Sequence, residues 1–334
     1  MTADLTVAVL ARHRPEYLRS MLDSIVTSCP ADTIVEVRDH SDDDRCQRVT
    51  EELAAQRRDG PILRHRYTSP RGVLANISGA VAECETTFLC ILNDDDLVEP
   101  ALFDELLPAI ADDPTSTFAT GVFVCIDGEG RILPKMRAKS FTKGYLTLDT
   151  MEERARFHVI ERQLRPAMGT IFRNDALGSM NLPQEAPTIP DLWIARHMMD
   201  AGRRGYTSDA VVFRYRVHAD SMSGAANDLA GYRWSMSQFL KEPAFAAVIP
   251  ELRSSLRSFE RSALLGQFVT SDRSSTIVKA IVDTSAPDSR TRRAALRLAL
   301  TPPFSFLTAA YLRRANPRLR RARPTTTTAS KETR

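Results

Sequence analysis

Phe88-Leu89-Cys90-Ile91-Leu92-Asn93-Asp94-Asp95-Asp96 decides how the chain is read. Five apolar residues run into an amide and three carboxylates, and Leu97-Val98-Glu99-Pro100 then opens a helix. A short unbroken apolar run suits a strand buried on both faces of a parallel sheet. In open α/β sheets ligands bind just past the carboxyl ends of the strands, where these acids fall. Adjacent carboxylates repel one another unless a cation or a set of donors offsets the charge, so a hard divalent ion is their natural partner. The plainer alternative is a strand-to-helix loop whose aspartates cap the helix or face water.

Working outward, Leu5–Leu10 reads as a first buried strand ending in Ala11-Arg12-His13-Arg14, and Pro15-Glu16 starts a helix. Ile34–Arg38 is a second strand, closed by Asp39-His40-Ser41-Asp42-Asp43-Asp44 and followed by a helix to about Arg58. Ile62–Tyr67 is a third strand, and Gly72–Cys84 a helix. This alternation predicts a mostly parallel open sheet with helices on both faces. Downstream, the pattern predicts a helix near Ala101–Ala111, strands at Thr117–Ile126, Ala167–Phe172 and Ala210–Tyr215, and helices at Met151–Gln163 and Asp191–Asp200. Residues 135–150 read as a mobile loop near a site, and helices continue from Gly224 to about Ala280. No strand is followed by Gly-x-Gly-x-x-Gly, and no Gly-x-x-x-x-Gly-Lys-Ser/Thr occurs, so bound phosphates must be met by metal and side chains.

The 334 residues are 43% hydrophobic and 26% charged, a globular balance with ample material for a core. The net charge of +3 is unevenly spread: residues 290–334 hold twelve Arg or Lys against one acid, +11, which leaves −8 for the rest. Such a basic tail suggests anionic lipid or a polyanion as a partner, or else a solvated, partly disordered end. Its apolar stretches Ala294–Leu300 and Phe304–Leu312 could equally lie on an anionic membrane surface or pack as a helix on the main domain with a solvated basic end. Five scattered cysteines read as reduced thiols, and the start of the chain shows no leader. The expectation is a cytoplasmic protein, peripherally attached to the inner face of a membrane if the tail binds lipid, with no nucleic-acid partner.

The order of motifs resembles the family-2 glycosyltransferases, which adopt the GT-A fold. Their opening Pro-Thr-Tyr-Asn-Arg is similar to Ala11-Arg12-His13-Arg14-Pro15, and their Asp-centred turn to Asp39-His40-Ser41-Asp42-Asp43. Their Gly followed by Ala-Arg-Asn-x-Gly/Ala resembles Gly72 to Gly79, and their Asp-x-Asp-Asp is similar to Asn93–Asp96. Tyr215–Ser223 matches a late Tyr-Arg-x-His-x-x-Ser-x-Ser. The resemblance spans about residues 5–225. It implies a glycosyltransferase domain over 1–225 (a nucleotide-binding half to about 126 and an acceptor half beyond), a helical extension over 226–289 and the basic tail.

The resemblance also implies roles. The loop with Ala11, His13 and Arg14 would wall the nucleotide pocket, Asp39 would accept a hydrogen bond from the nucleobase, and Asn76 belongs to the donor-binding set. Asp94 would lie near the ribose, while Asp95 and Asp96 would hold Mg2+ or Mn2+, with Asp96 the direct ligand. His218 would complete the metal shell, or else simply bond backbone at a strand end. The family's Glu-Asp before an Asp-Leu-Trp helix reads here as Thr188-Ile189-Pro190-Asp191-Leu192-Trp193, so Asp191 is the candidate base or merely a helix cap, with Glu185 as fallback. Trp193 reads as core. The implied reaction is inverting transfer of a sugar from a nucleotide-diphospho-sugar to a hydroxyl of a saccharide, lipid-linked or small-molecule acceptor. The rivals are a non-catalytic nucleotide-sugar-binding module and a sugar nucleotidyltransferase, which usually has a glycine-rich loop after its first strand.

Overall fold

The computed structural model describes residues 4–57, 59–68, 72–133, 141–161, 168–178, 180, 182–183, 190–218 and 225–270, with 277, 278, 281, 296, 299, 300 and 308. It opens with β1 (Leu5–Ala11), α1 (Pro15–Ser28), β2 (Ile34–Asp39), α2 (Arg45–Gln56), β3 (Ile62–Tyr67), α3 (Val73–Ala82) and β4 (Phe88–Asn93). Every residue of β1 is buried, as are the first five of β4, as expected of central strands with both faces covered. The outermost strand β3 is instead half-polar and largely exposed. β3, β2, β1 and β4 pair in that order, all parallel. The chain therefore runs outward through β1, β2 and β3, then crosses back to β4. Right-handed crossovers put α1 and α2 on one face and α3 on the other.

β5 (Leu97–Val98) follows the acids, and then a helix whose first turn, Leu102–Leu106, is π-wound before α4 (Leu107–Asp112). The chain continues with β6 (Phe118–Ile126), β7 (Gly144–Thr147), α5 (Met151–Arg154), β8 (Ile171–Arg173), α6 (Asn174–Leu177), α7 (Pro190–Ala201) and β9 (Arg204–Arg216). α5 starts in a capping box between Thr150 and Glu153 and continues π-wound over Ala155–Ile160. The nine strands form one open sheet, with the path β3-β2-β1-β4-β8-β6-β9-β5 and with β7 on β9.

β8 runs against both β4 and β6, whereas β6 and β9 are parallel. Two residues before β8, Gly169 has a φ of 78° and a Cβ there would stand 2.8 Å from that of Phe213, so only glycine fits. Because β8 reverses once on each side, β6 and β9 point the same way as β1 to β4. The carboxyl ends at Ala11, Asp39, Tyr67, Asn93, Ile126 and Arg216 consequently share one rim.

Three expectations are corrected. Leu97-Val98, read as the opening of a helix, is the short strand β5, antiparallel to β9. Part of the loop foreseen over 135–150 is strand β7, antiparallel to β9. β9 is also thirteen residues long and begins at Arg204, not Ala210. The chain divides into two compact units, Met1–Val217 with Ser237–Ile249, and His218–Met236 with Pro250–Arg334. In the first, the half-buried Trp193 meets the buried Phe239 edge-on at 5.0 Å. In the second, Tyr232 stacks on Phe259 at 4.2 Å, and Leu264, Val278, Ile281 and Leu300 form a core to which Leu296 adds. The 294–300 stretch thus packs on protein at two of its positions, while most of the tail lies outside the described residues. Cys46, Cys90 and Cys125 are buried, and no cysteine is in a disulfide.

Candidate active site

The strand order reverses between β1 and β4, and the crevice past the carboxyl ends at such a point is the usual ligand site of open α/β sheets. Asp94 sits in it. Its amide donates to the Leu10 carbonyl at 3.1 Å, and its Oδ2 accepts the Arg12 amide at 2.9 Å. Asp94 and Asp96 are covered almost completely and Asp95 nearly so. Burial, partly countered by Arg14 and reinforced by Asp95, pushes the Asp94 carboxyl up to about 7. Burial and the neighbouring Asp95 raise Asp96 well above the usual carboxylate range, against the hydrogen bonds it accepts.

Arg14 supplies counter-charge. One guanidinium nitrogen hydrogen-bonds Asp95 Oδ2, and another stands 2.5 Å from Asp94 Oδ1, a charge contact not aligned as a hydrogen bond. Arg14 is aimed there by the turn out of β1, in which His13 takes a left-handed φ of 55° and its amide donates to Ser41 Oγ at 2.8 Å. Such a backbone is uncommon outside glycine, though histidine tolerates it better than most residues. Pro15 then starts α1.

Asp96 faces the far side of the cluster. Its Oδ1 accepts the Arg216 amide at 2.8 Å and its Oδ2 the Asn93 side chain at 3.3 Å. The buried Arg216 side chain donates to the carbonyls of Asp95 (2.6 Å), Asp127 (3.2 Å) and Gly128 (2.9 Å), and its guanidinium lies over the Tyr17 ring at 4.9 Å. It clasps the acidic loop to the ends of β6 and β9. Sequence reasoning missed this residue. The available signal was its place in Tyr215-Arg216-Val217-His218, directly after a strand.

At the end of β2, Asp39 is fully buried, with Oδ1 accepting the Ser41 amide at 2.8 Å and Oδ2 facing His65 Nε2 at 3.1 Å. Burial would raise its pKa, but the bonds from His65 and Ser41 outweigh that and lower it. Asn76 is also fully buried; its Nδ2 lies 3.3 Å from the Arg38 carbonyl and 2.8 Å from His40 Nδ1, so it braces the Asp39 turn from α3. Ala11 ends β1 and accepts the His40 amide at 3.1 Å.

The expected residues Ala11, His13, Arg14, Asp39, Asn76 and Asp94 to Asp96 therefore surround one rim. Asp191 occupies the first turn of α7, half-buried, while Glu185 lies outside the described residues. His218 follows two residues beyond β9 and opens the second unit. Among the described residues, the one group whose ligand atoms converge closely enough for a metal is His13, Asp42 and Asp43, with His13 Nδ1 3.5 Å from Asp42 and 3.6 Å from Asp43. Asp43 there already holds Arg45 through both oxygens.

An open sheet with the order 3-2-1-4, an antiparallel strand beyond it and paired aspartates at the switch point defines a GT-A glycosyltransferase. Solved structures agree on the fold. The chain is similar to S. aureus TarS 1-349 in complex with UDP-GlcNAc, with a TM-score of 0.57 at 14% identity over 91% of this chain and 88% of that one. It is likewise similar to the mannosyltransferase PcManGT from Pyrobaculum calidifontis in complex with GDP-Man and Mn2+, with a TM-score of 0.56 at 16% identity over 92% and 84%. No curated protein gives a significant sequence match. The chain belongs to glycosyl transferase family 2, whose family model matches residues 6–177, and it is a glycosyltransferase. No described helix is long and apolar enough to cross a membrane.

Proposed function

We propose that the protein is a metal-dependent, inverting glycosyltransferase that moves a sugar from a nucleotide-diphospho-sugar to an acceptor hydroxyl. The observation that carries this is the run of covered carboxylates at the switch point, two of them held above their ordinary pKa. Three adjacent acids, two of them with raised proton affinity, are a donor set short of positive charge, and they fit a hard cation. Asp96 and Asp95 would hold Mg2+ or Mn2+. The metal, when bound, would neutralise the departing diphosphate.

The chain's own residues do the rest. Asp39, kept ionised by His65 and Ser41, would accept an N–H from the nucleobase, and Asn76 would hold that turn in place. Asp94 would meet the ribose, and Ala11, His13 and Arg14 would wall the nucleotide. Asp191 would take the proton of the acceptor hydroxyl, a role that requires hydrogen-bond reach to it. A single displacement without a protein nucleophile inverts the anomeric centre. Uridine and guanosine diphosphate sugars, bound by the two similar structures, are the first donors to try. The acceptor would be a saccharide, a lipid-linked sugar or a small molecule, and the basic tail would favour an anionic membrane surface.

The test is release of nucleoside diphosphate from UDP-, GDP- and dTDP-sugars with Mn2+ and acceptor mixtures, in parallel with Asp96→Asn. Metal-dependent release that disappears in the variant is expected. Undiminished turnover by Asp96→Asn would take that residue out of its role. Binding without release from any donor would leave only a binding module.

A further inference from the structure

Arg14 links two carboxylates that the proposed reading assigns to the ribose and the metal. Its guanidinium lies between Asp94 and Asp95, in ion pairs with both, and the side chain is 23% exposed. The turn that carries it is fastened at both ends of the site. The Arg12 amide bonds Asp94, and the His13 amide bonds Ser41 beside Asp39, at the cost of a left-handed residue. Buried carboxylates must be paired, and a guanidinium is the side chain best shaped to bridge two of them. A divalent cation held by Asp95 would compete with Arg14 for the same carboxylate.

We infer that Arg14 is an internal stand-in for the metal, holding the acidic loop in place until the metal and the donor diphosphate displace it. This rests on the metal reading above. It goes further in assigning Arg14 a competitive role toward the cation, apart from lining the nucleotide pocket. The cation and the guanidinium exclude one another at Asp95, so metal binds weakly alone. A nucleoside diphosphate, which brings its own negative charge for both Arg14 and the metal, makes the exchange favourable. Metal and nucleotide affinities are therefore coupled through one side chain, and the coupling is reciprocal.

The experiment is titration of free Mn2+ by electron paramagnetic resonance at pH 8, with and without UDP or GDP, for the wild type, Arg14→Gln and Arg14→Lys. Folding of each variant is checked by its thermal melt. The wild type should bind Mn2+ weakly alone and more tightly with nucleotide. Arg14→Gln should bind Mn2+ alone about tenfold more tightly, and nucleotide should then add little. Arg14→Lys, which keeps the charge without the bridging fork, should fall between the two and decides the matter if the glutamine variant fails to fold. Unchanged nucleotide-free Mn2+ affinity in the folded variants, beside a wild type that still binds Mn2+ with nucleotide, overturns the role given to Arg14. Absence of Mn2+ binding by every protein under every condition overturns the metal reading itself, and this inference with it.

Discussion

Replacing Asp94 by asparagine should make the metal-free protein more stable at alkaline pH while impairing donor use. The folded protein holds the Asp94 carboxyl at about 7 against an ordinary 3.8, chiefly through burial. A group whose pKa is raised on folding gives stability that is complete below its unfolded pKa and lost as pH climbs through the folded one. Above pH 7 the ionised Asp94 is therefore a burden on the fold. A rise of about three pH units corresponds to ~4 kcal/mol. Asparagine resembles the protonated acid at every pH, and the folded value of about 7 already includes the pull of Arg14. Relaxation around a buried charge reduces the gain to about 2 kcal/mol at pH 8, which for a chain of this size raises Tm by about 4 °C. The measurement is differential scanning calorimetry in EDTA at pH 4, 6 and 8. The gain should shrink toward zero at pH 4. A Tm lowered at pH 8, or a shift independent of pH, would show that burial of charge does not govern this residue.

His158 carries a shift of opposite sense. Burial lowers it to about 4, and its Nε2 is bonded to the Gly202 carbonyl at 2.9 Å, so its contribution is present above pH 6.5 and lost as pH falls toward 4. The loss is worth about 3 kcal/mol in urea unfolding, and His158→Gln should flatten that part of the profile; parallel curves for both proteins would refute the assignment. Arg216→Leu should cost about 3 kcal/mol or more and weaken Mn2+-dependent nucleotide binding, whereas an unchanged midpoint and affinity would remove Arg216 from its clasping role. Deleting residues 313–334, which hold eight of the tail's twelve basic residues and spare Leu300, should weaken binding to anionic liposomes without changing donor hydrolysis. Equal liposome binding would dismiss the membrane surface as a partner.

β1 and β4 were legible because each is a compact apolar run with a polar stop, the signal that burial on both faces imposes, while the more polar β2 and β3 were legible from the alternation of strands and helices. Two later elements were not. β7 is only Gly144-Tyr145-Leu146-Thr147, too short to show a period, and it owes its form to pairing with β9. The first half of β9, Arg204-Gly205-Tyr206-Thr207-Ser208-Asp209, is polar because its side chains meet partners that lie far away in sequence, such as Glu105 with Tyr206 and Asp113 with Arg204. The direction of β8 was likewise invisible, since strand signals carry no sense of orientation. At the site, the sequence marks which carboxylates exist, while the pairing of Arg14 across eighty residues depends on the fold.

The grip of Arg216 on the acidic loop bears on how this enzyme can be recombined with its relatives. The matched family region ends at residue 177, yet the strand bearing Arg216 arrives almost thirty residues later and is threaded between β6 and β5. A chimera that borrows only residues 6–177 would carry the aspartates without the arm that fastens them, and would inherit whatever residue the host places there. Donor preference should therefore transfer between family members as an exchange of two separated cassettes, residues 6–177 together with 204–216, and not as one contiguous graft.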